Sequence, residues 1–189
     1  MNVGIMCGSY ETASMESRLN NSKIANLVAM KDYCFVMESG ETGSMRDVKE
    51  ILKENGKFLI VVGREDELDE VNADVNVPVH STFERLEAIY KNCDVILCLT
   101  GGVGTESEFI SFLNNKIETK DDKPLIIYNE DGSYNYSLKA LELKRKEGLV
   151  DSSYKLYFDE ARNIEELAEY LEKAENKINK STEERSRVR

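Results

Sequence analysis

The sequence predicts an α/β protein: a single doubly wound, mostly parallel sheet flanked by helices. Short apolar runs recur along the chain, and stretches with a helical period separate them. Several of the runs lack polar alternation, the mark of strands covered on both faces. Three of them end in glycine-bearing loops, where an open parallel sheet binds its ligands. With 189 residues, 41% of them hydrophobic, the chain can bury the core that such a sheet requires.

Val3-Gly4-Ile5-Met6-Cys7 is the first run, closed by Gly8-Ser9. Leu19, Ala25, Leu27 and Val28 give the stretch 16–30 a helical period. Tyr33-Cys34-Phe35-Val36-Met37, rich in β-formers, predicts a second strand ending in a polar, glycine-containing loop. Ser44 is the expected N-cap of the next helix, in which Val48, Ile51 and Leu52 share a face and Asn55-Gly56 marks the end. Phe58-Leu59-Ile60-Val61-Val62 reads as a fully buried strand. The second half repeats the pattern with a helix over 82–92, a strand over 94–99 and a helix over 105–115. A strand over 124–128 and a helix over 136–146 follow, then an edge strand over 155–158 and a helix over 164–177. No repeat or proline-rich linker divides the chain, so 1–175 reads as one Rossmann-like domain. The polar segment 176–189 is expected as a charged tail, frayed helix or disordered. The acidic run 65–74 lacks calcium-loop spacing and reads as a solvated loop.

Charge and residue usage exclude several functions. With 25 Lys and Arg against 36 Asp and Glu, the net charge is −11, so neither a nucleic acid polymer nor an anionic membrane is an expected partner. No apolar run approaches the roughly 20 residues that span a bilayer. The four cysteines form no C-x-x-C pair, and the chain opens MNVGIMCGSY rather than with a signal peptide, which predicts a cytoplasmic protein with reduced thiols. One histidine is too few for multi-His metal chemistry, and His80 reads as a structural or surface residue. Cys93 and Cys98 read as buried thiols, and Tyr128, Tyr134 and Tyr136 as packing residues before pocket-lining ones.

A local anion site needs no basic side chain, because backbone N–H groups bind phosphate. The loops Gly8-Ser9, Gly40-Glu41-Thr42-Gly43 and Gly101-Gly102-Val103-Gly104-Thr105 are the candidates. In the third, glycines permit close backbone approach, and Thr105 is expected to open a helix whose unpaired N–H groups point at one spot. The same glycines would also serve a tight strand-to-helix turn, and no Lys-Ser/Thr follows to make a P-loop. Glu108 lies one turn beyond Thr105, beside the expected phosphate, where a carboxylate is unfavourable unless it serves the sugar or the chemistry. Arg85, on the preceding helix, could neutralise the ligand or simply form a surface ion pair.

Thr100-Gly101-Gly102-Val103-Gly104-Thr105-Glu106-Ser107-Glu108 resembles the P-G-G-x-G-T-x-x-E signature of the LOG family, the cytokinin riboside 5′-monophosphate phosphoribohydrolases often labelled lysine decarboxylases. Cys7-Gly8-Ser9 is similar to that family's first-strand C-G-S, and Gly40-Glu41-Thr42-Gly43-Ser44-Met45 to the end of its G-G-G-x-x-G-x-M loop. Arg85 stands where the M-H-x-R-K arginine stands, and Lys123-Pro124, Asn129, Gly132, Tyr134 and Glu147-Gly148 follow in the family's order. The resemblance covers nearly the whole chain. Four departures accompany it: Thr100 for proline, Ser107 for the first acid of Glu-Glu, Leu86 for lysine, and Glu38-Ser39 for two glycines.

The resemblance implies hydrolysis of the N-glycosidic bond of a nucleoside 5′-monophosphate, giving free base and ribose 5-phosphate, by a homodimer with no metal and no organic cofactor. It implies catalytic roles for Arg85 and Glu108. The substrate would be held by Gly8, Ser9, Gly40, Gly43, Met45, Gly101, Gly102, Val103, Gly104 and Thr105. Two alternatives share the fold: a non-catalytic nucleotide-binding or sensing protein, and a molybdenum-cofactor carrier. Nothing in the sequence marks a Schiff-base lysine, so a decarboxylase is not expected.

Overall fold

The computed structural model describes residues 1–69 and 71–187, with side chains as far as Lys180. Among the described residues, seven strands form one sheet: β1 (Asn2–Met6), β2 (Cys34–Glu38), β3 (Leu59–Arg64), β4 (Val75–Val79), β5 (Val95–Cys98), β6 (Leu125–Tyr128) and β7 (Asp159–Ala161). Every pairing is parallel, in the order β4-β3-β2-β1-β5-β6-β7. The chain therefore winds outward from β1 to one edge, then returns to lay β5 on the other side of β1. That reversal leaves a crevice at the carboxyl ends of β1 and β5.

Six α-helices among the described residues cover the two faces: α1 (Met15–Ala29), α2 (Gly43–Glu54), α3 (Thr82–Asn92), α4 (Val103–Thr119), α5 (Asn135–Lys146) and α6 (Ile164–Arg187). Successive strand residues point to opposite faces, so each buried strand feeds two cores. Val61 packs with Ile24, Val48 and Leu171 in the α1–α2–α6 core, whereas its neighbour Val62 packs with Ile89 and Phe109 in the α3–α4 core. A bidentate Arg18–Asp47 pair, at 2.7 and 2.6 Å, also ties α1 to α2.

Six local expectations change. Strand β4 was not foreseen in Val-Asn-Val-Pro-Val, because Pro78 cannot donate to a ladder; as an edge strand, β4 tolerates it. Residues 154–157 form a 3₁₀ turn, and the last strand comes after it, at β7. Thr42, in extended backbone, is the N-cap of α2, and Ser44 is buried in its first turn. Helix α4 begins at Val103, two residues early, so Thr105 sits inside its first turn. The acidic run is not wholly solvated: Leu68 and Val71 anchor it to the core, and Glu65–Glu67 form a 3₁₀ turn; Glu70 lies outside the described residues. Helix α6 continues through the charged segment to Arg187, and residues 188 and 189 lie outside the described residues. Among the described residues, no helix is long and apolar enough to cross a membrane.

Candidate functional site

Because β2, β1 and β5 are neighbours, the loops that leave their carboxyl ends converge. The Leu99 N–H donates to the Met6 carbonyl at 2.8 Å, extending the β1–β5 ladder, and the Gly8 N–H then donates to the Thr100 carbonyl at 3.2 Å. Met45 N–H donates in turn to the Gly8 carbonyl at 3.0 Å, docking the start of α2 on the first loop. Gly43 has φ +58°, and its α-carbon faces the Tyr10 carbonyl so closely that an added Cβ would lie 2.6 Å from that oxygen. A side chain is excluded there on both counts. Gly40 packs on the Met45 sulfur and on Ser9, so Met45 supports this loop from beneath, nearly fully buried.

The glycine loop after β5 is held from both sides. Asn21 Nδ2 donates to the Thr100 carbonyl at 2.8 Å, Thr100 Oγ1 donates to Asp131 Oδ2 at 2.6 Å, and the Tyr134 hydroxyl donates to the Leu99 carbonyl at 2.7 Å. Thr100, where the family signature has proline, thus anchors the loop by a hydrogen bond in place of a ring. The buried Thr105 side chain lies against the Gly101 α-carbon, and a Cβ on Gly101 would overlap it. Thr105 therefore locks the turn. Gly102 caps α4 with no side-chain hydrogen bond, and Val103 and Gly104 are exposed. The first-turn N–H groups of α4 are consequently open to an anion.

One turn further into α4, Glu108 is buried. It is hydrogen-bonded to Glu38, which projects from the end of β2. Arg85 enters from α3, a helix started by Ser81, whose Oγ accepts the Glu84 N–H at 3.1 Å. The Arg85 Nε lies 2.6 Å from Glu38 Oε1, and an arm of the guanidinium lies 3.6 Å from Glu67 Oε2. The Nε–H is not aimed along the short contact, so both atoms are buried without a hydrogen bond and the attraction is electrostatic. Glu67 accepts from Ser39 Oγ at 2.7 Å and from the Arg64 N–H at 3.1 Å. Two carboxyls thus pair with one guanidinium, and a third, that of Glu108, lies beside Glu38.

The electrostatics sort them. Burial, then the charge of Glu38 and its hydrogen bond, raise the Glu108 carboxyl well above the ordinary range; Arg85 opposes this only in part. Burial would also raise Glu67, but the hydrogen bonds from Ser39 and Arg64 and the two arginine charges hold it below its usual value. Burial raises the Cys7 and Cys98 thiols, and the Glu108 charge adds to both. Beside these groups opens a cleft of about 400 Å³, lined by Ser9, Glu38, Ser39, Glu41, Glu67 and Arg85 among others. A larger concavity, about 680 Å³, lies by Pro124, Leu125 and α6, at the opposite end of the strands from the glycine loops.

The structure therefore brings Arg85, Glu108, Gly8, Ser9, Gly40, Gly43, Met45 and Gly101 through Thr105 to the carboxyl end of the sheet. Gly43, Met45 and Thr105 shape it from below; Ser9, Val103 and Gly104 lie at its surface. His80 and Tyr136 are exposed, Tyr128 and Tyr134 are core, and Cys93 and Cys98 are buried. Sequence reasoning missed Glu67, hidden in an acidic run, and Lys49. The Lys49 ammonium, buried within α2, donates to the Gly40 carbonyl at 2.8 Å and to Glu41. Its position between Val48 and Leu52, on the apolar stripe of α2, was the available signal.

A family model described as "Possible lysine decarboxylase" matches residues 45–171. The chain is 23% identical to the cytokinin riboside 5′-monophosphate phosphoribohydrolase LOG4 of Arabidopsis thaliana, over 89% of this chain and 80% of that one. To LOG5 of the same plant it is 30% identical over 96 residues, which span 51% of this chain and 42% of that protein. Among solved structures, the molybdenum cofactor binding protein from Rippkaea orientalis superposes with a TM-score of 0.66 at 19% identity, covering 91% of this chain and 95% of that one. At that identity the superposition establishes the shared fold.

Proposed function

The chain belongs to the family described as possible lysine decarboxylases, which includes LOG-type relatives, and from that premise we propose that it hydrolyses the N-glycosidic bond of a nucleoside 5′-monophosphate. The observation that carries this reading is the placement of Glu108 just inside α4, behind its open N-terminus, with Arg85 of α3 near enough to act on its charge. The α4 N–H groups and the glycine loop bind the 5′-phosphate, which fixes the ribose relative to the helix. Loss of the base leaves an oxocarbenium-like sugar, and the carboxyls at Glu108 and Glu38 stabilise that positive charge. In a chain of net charge −11, holding the phosphate on backbone dipoles is what makes an anionic substrate compatible with an acidic cleft. A decarboxylase finds no support here, since the buried Lys49 uses its ammonium on Gly40 and Glu41.

One observation favours a second reading. Arg85 is occupied by Glu38 rather than left open for a ligand, as suits a protein that binds a nucleotide, or a phosphate-bearing cofactor of the kind its structural neighbour is named for, without turnover. A homodimer belongs to either reading and is supported by exposed Phe83 and Val103 beside the starts of α3 and α4; sedimentation velocity tests it. Product analysis on AMP, CMP, GMP, UMP and isopentenyladenosine monophosphate, with native protein and Glu108→Gln, separates the readings. Base release lost in the variant supports the hydrolase, saturable binding without base release supports the binding protein, and full activity in Glu108→Gln overturns the assignment of Glu108.

A further inference from the structure

We propose that Glu38 is a positioning residue that sets the direction of proton transfer at Glu108, so that Glu108 enters the reaction as a proton donor to the leaving base. The inference rests on the hydrolase reading and adds to it a residue that the family pattern lacks, since Glu38 stands where that pattern has glycine.

Geometry carries the argument. Two carboxyls joined by a hydrogen bond hold one proton between them, because two adjacent anions repel and one oxygen must donate. Which carboxyl keeps the proton depends on where the cation sits. Arg85 is 2.6 Å from Glu38, whereas among the described residues no ion pair reaches Glu108, the more buried of the two. The proton therefore rests on Glu108, the carboxyl to which no cation is paired. The other groups facing Glu108 do not disturb this. Cys7 at the end of β1, Cys98 on β5 and Tyr134 ahead of α5 are all pushed up by burial and by Glu108, and stay neutral. Glu67 faces Arg85 from its far side, and the Lys49 ammonium is taken up by Gly40 and Glu41.

The step balances with water as the only co-reactant. The C1′–N bond breaks, its electron pair stays on the base, and a ring nitrogen of the base takes the proton from Glu108. The cationic sugar then lies beside two carboxylates, Glu38 and the newly ionised Glu108. Water enters on the face the base vacates, forms the C1′–O bond and returns a proton to Glu108. Free base and ribose 5-phosphate leave, and the pair is restored. One carboxyl thus serves as acid and then as base, and Glu38, held by Arg85, primes it.

The test is the pH dependence of kcat/KM for native protein, Glu38→Gln and Glu38→Asp on whichever nucleotide is cleaved. Native protein should lose about tenfold in rate per pH unit along an alkaline limb. E38Q should shift that limb down by a unit or more with KM changed less than twofold, and E38D should restore it. An acid limb alone in native protein, or an unshifted limb in E38Q, overturns the inference while leaving the hydrolase reading intact. Infrared titration of the folded proteins gives a readout independent of turnover. A protonated-carboxyl band at pH 7 that is absent from E108Q, and that titrates away at lower pH in E38Q than in native protein, supports the inference; its absence from native protein, or an unshifted titration in E38Q, overturns it. If E38Q does not fold, E38A takes its place in both measurements. Failure of every nucleotide to release base, with the band present, removes the hydrolase reading and leaves the proton on Glu108.

Discussion

The guanidinium of Arg85 and the carboxylate of Glu38 meet at 2.6 Å across the gap between α3 and the end of β2, and it is this pair, rather than an open arginine, that faces Glu108. A signature arginine is thereby converted from a free cation into half of an ion pair. Its electrostatic reach toward a ligand phosphate is shortened, and its effect on the two carboxyls beside it grows.

Removing Arg85 should therefore hurt twice. Arg85→Met leaves Glu38 without its counter-ion inside a mostly buried cluster, and breaking such pairs costs about 3–5 kcal/mol when fully buried. The Arg85 side chain is 21% exposed, so a loss of about 1–3 kcal/mol is expected. The double variant Arg85→Met/Glu38→Gln should recover part of this, because the stranded charge is gone. Urea unfolding of the four proteins in a double-mutant cycle measures it, and a coupling energy near zero would contradict the pairing.

Stability should also fall as pH rises above the ordinary carboxylate range. The Glu108 carboxyl is raised in the folded protein, first by burial and then by Glu38, while in the unfolded chain it titrates near 4.3. Between those two values the unfolded chain binds fewer protons than the folded one, so stability declines with rising pH. The contribution is complete below the unfolded value and disappears as pH passes through the raised one. Glu108→Gln has no proton to lose, so its unfolding free energy should be flatter than that of native protein from pH 5 to 9. Parallel slopes for the two proteins would show that Glu108 does not carry the raised titration.

How much of this was legible in the sequence follows from what each residue packs against. Arg85 and Glu108 could be placed because strand ends and helical turns fix their distance from the glycine loop. The partner of Arg85 could not, since whether Glu38 points at the cleft depends on the strand register that pairs it with Val62. Glu67 was hidden by composition: six acids in ten residues look solvated, and only the anchoring of Leu68 and Val71 turns one of them toward the site. Strand β4 was hidden by its proline, and the role of Thr105 by the assumption that a helix-opening hydroxyl faces its ligand.

Lys49 offers a test of the loop that it holds. Lys49→Met keeps the apolar stem but strips the donor from the Gly40 carbonyl, and an unpaired buried acceptor costs about 1–3 kcal/mol. The loop 39–42 borders the cleft, so the variant should bind nucleotide at least fivefold more weakly while remaining folded. Calorimetric titration with AMP, beside a thermal melt, measures both quantities. Unchanged affinity would place the loop outside the ligand site.

Gly101 and Gly104 lie three residues apart in the same loop-to-helix segment, yet they should respond in opposite ways to alanine. At Gly101 a Cβ would overlap the Thr105 side chain, which is buried and cannot swing clear, so overpacking by about 1–3 kcal/mol is expected, with a lower Tm. At Gly104 an added Cβ meets nothing within 4 Å, and the residue lies in the first turn of α4 with no positive φ. Gly104→Ala should therefore match native protein in stability or exceed it by up to about 1 kcal/mol, the propensity gain of alanine in a helix. If the α4 N-terminus binds the phosphate, the same methyl stands where the anion must approach. Gly104→Ala should then weaken AMP binding at least tenfold despite its intact fold. Loss of affinity without loss of stability would mark the anion site directly, and undiminished binding in folded Gly104→Ala would move the phosphate away from this turn.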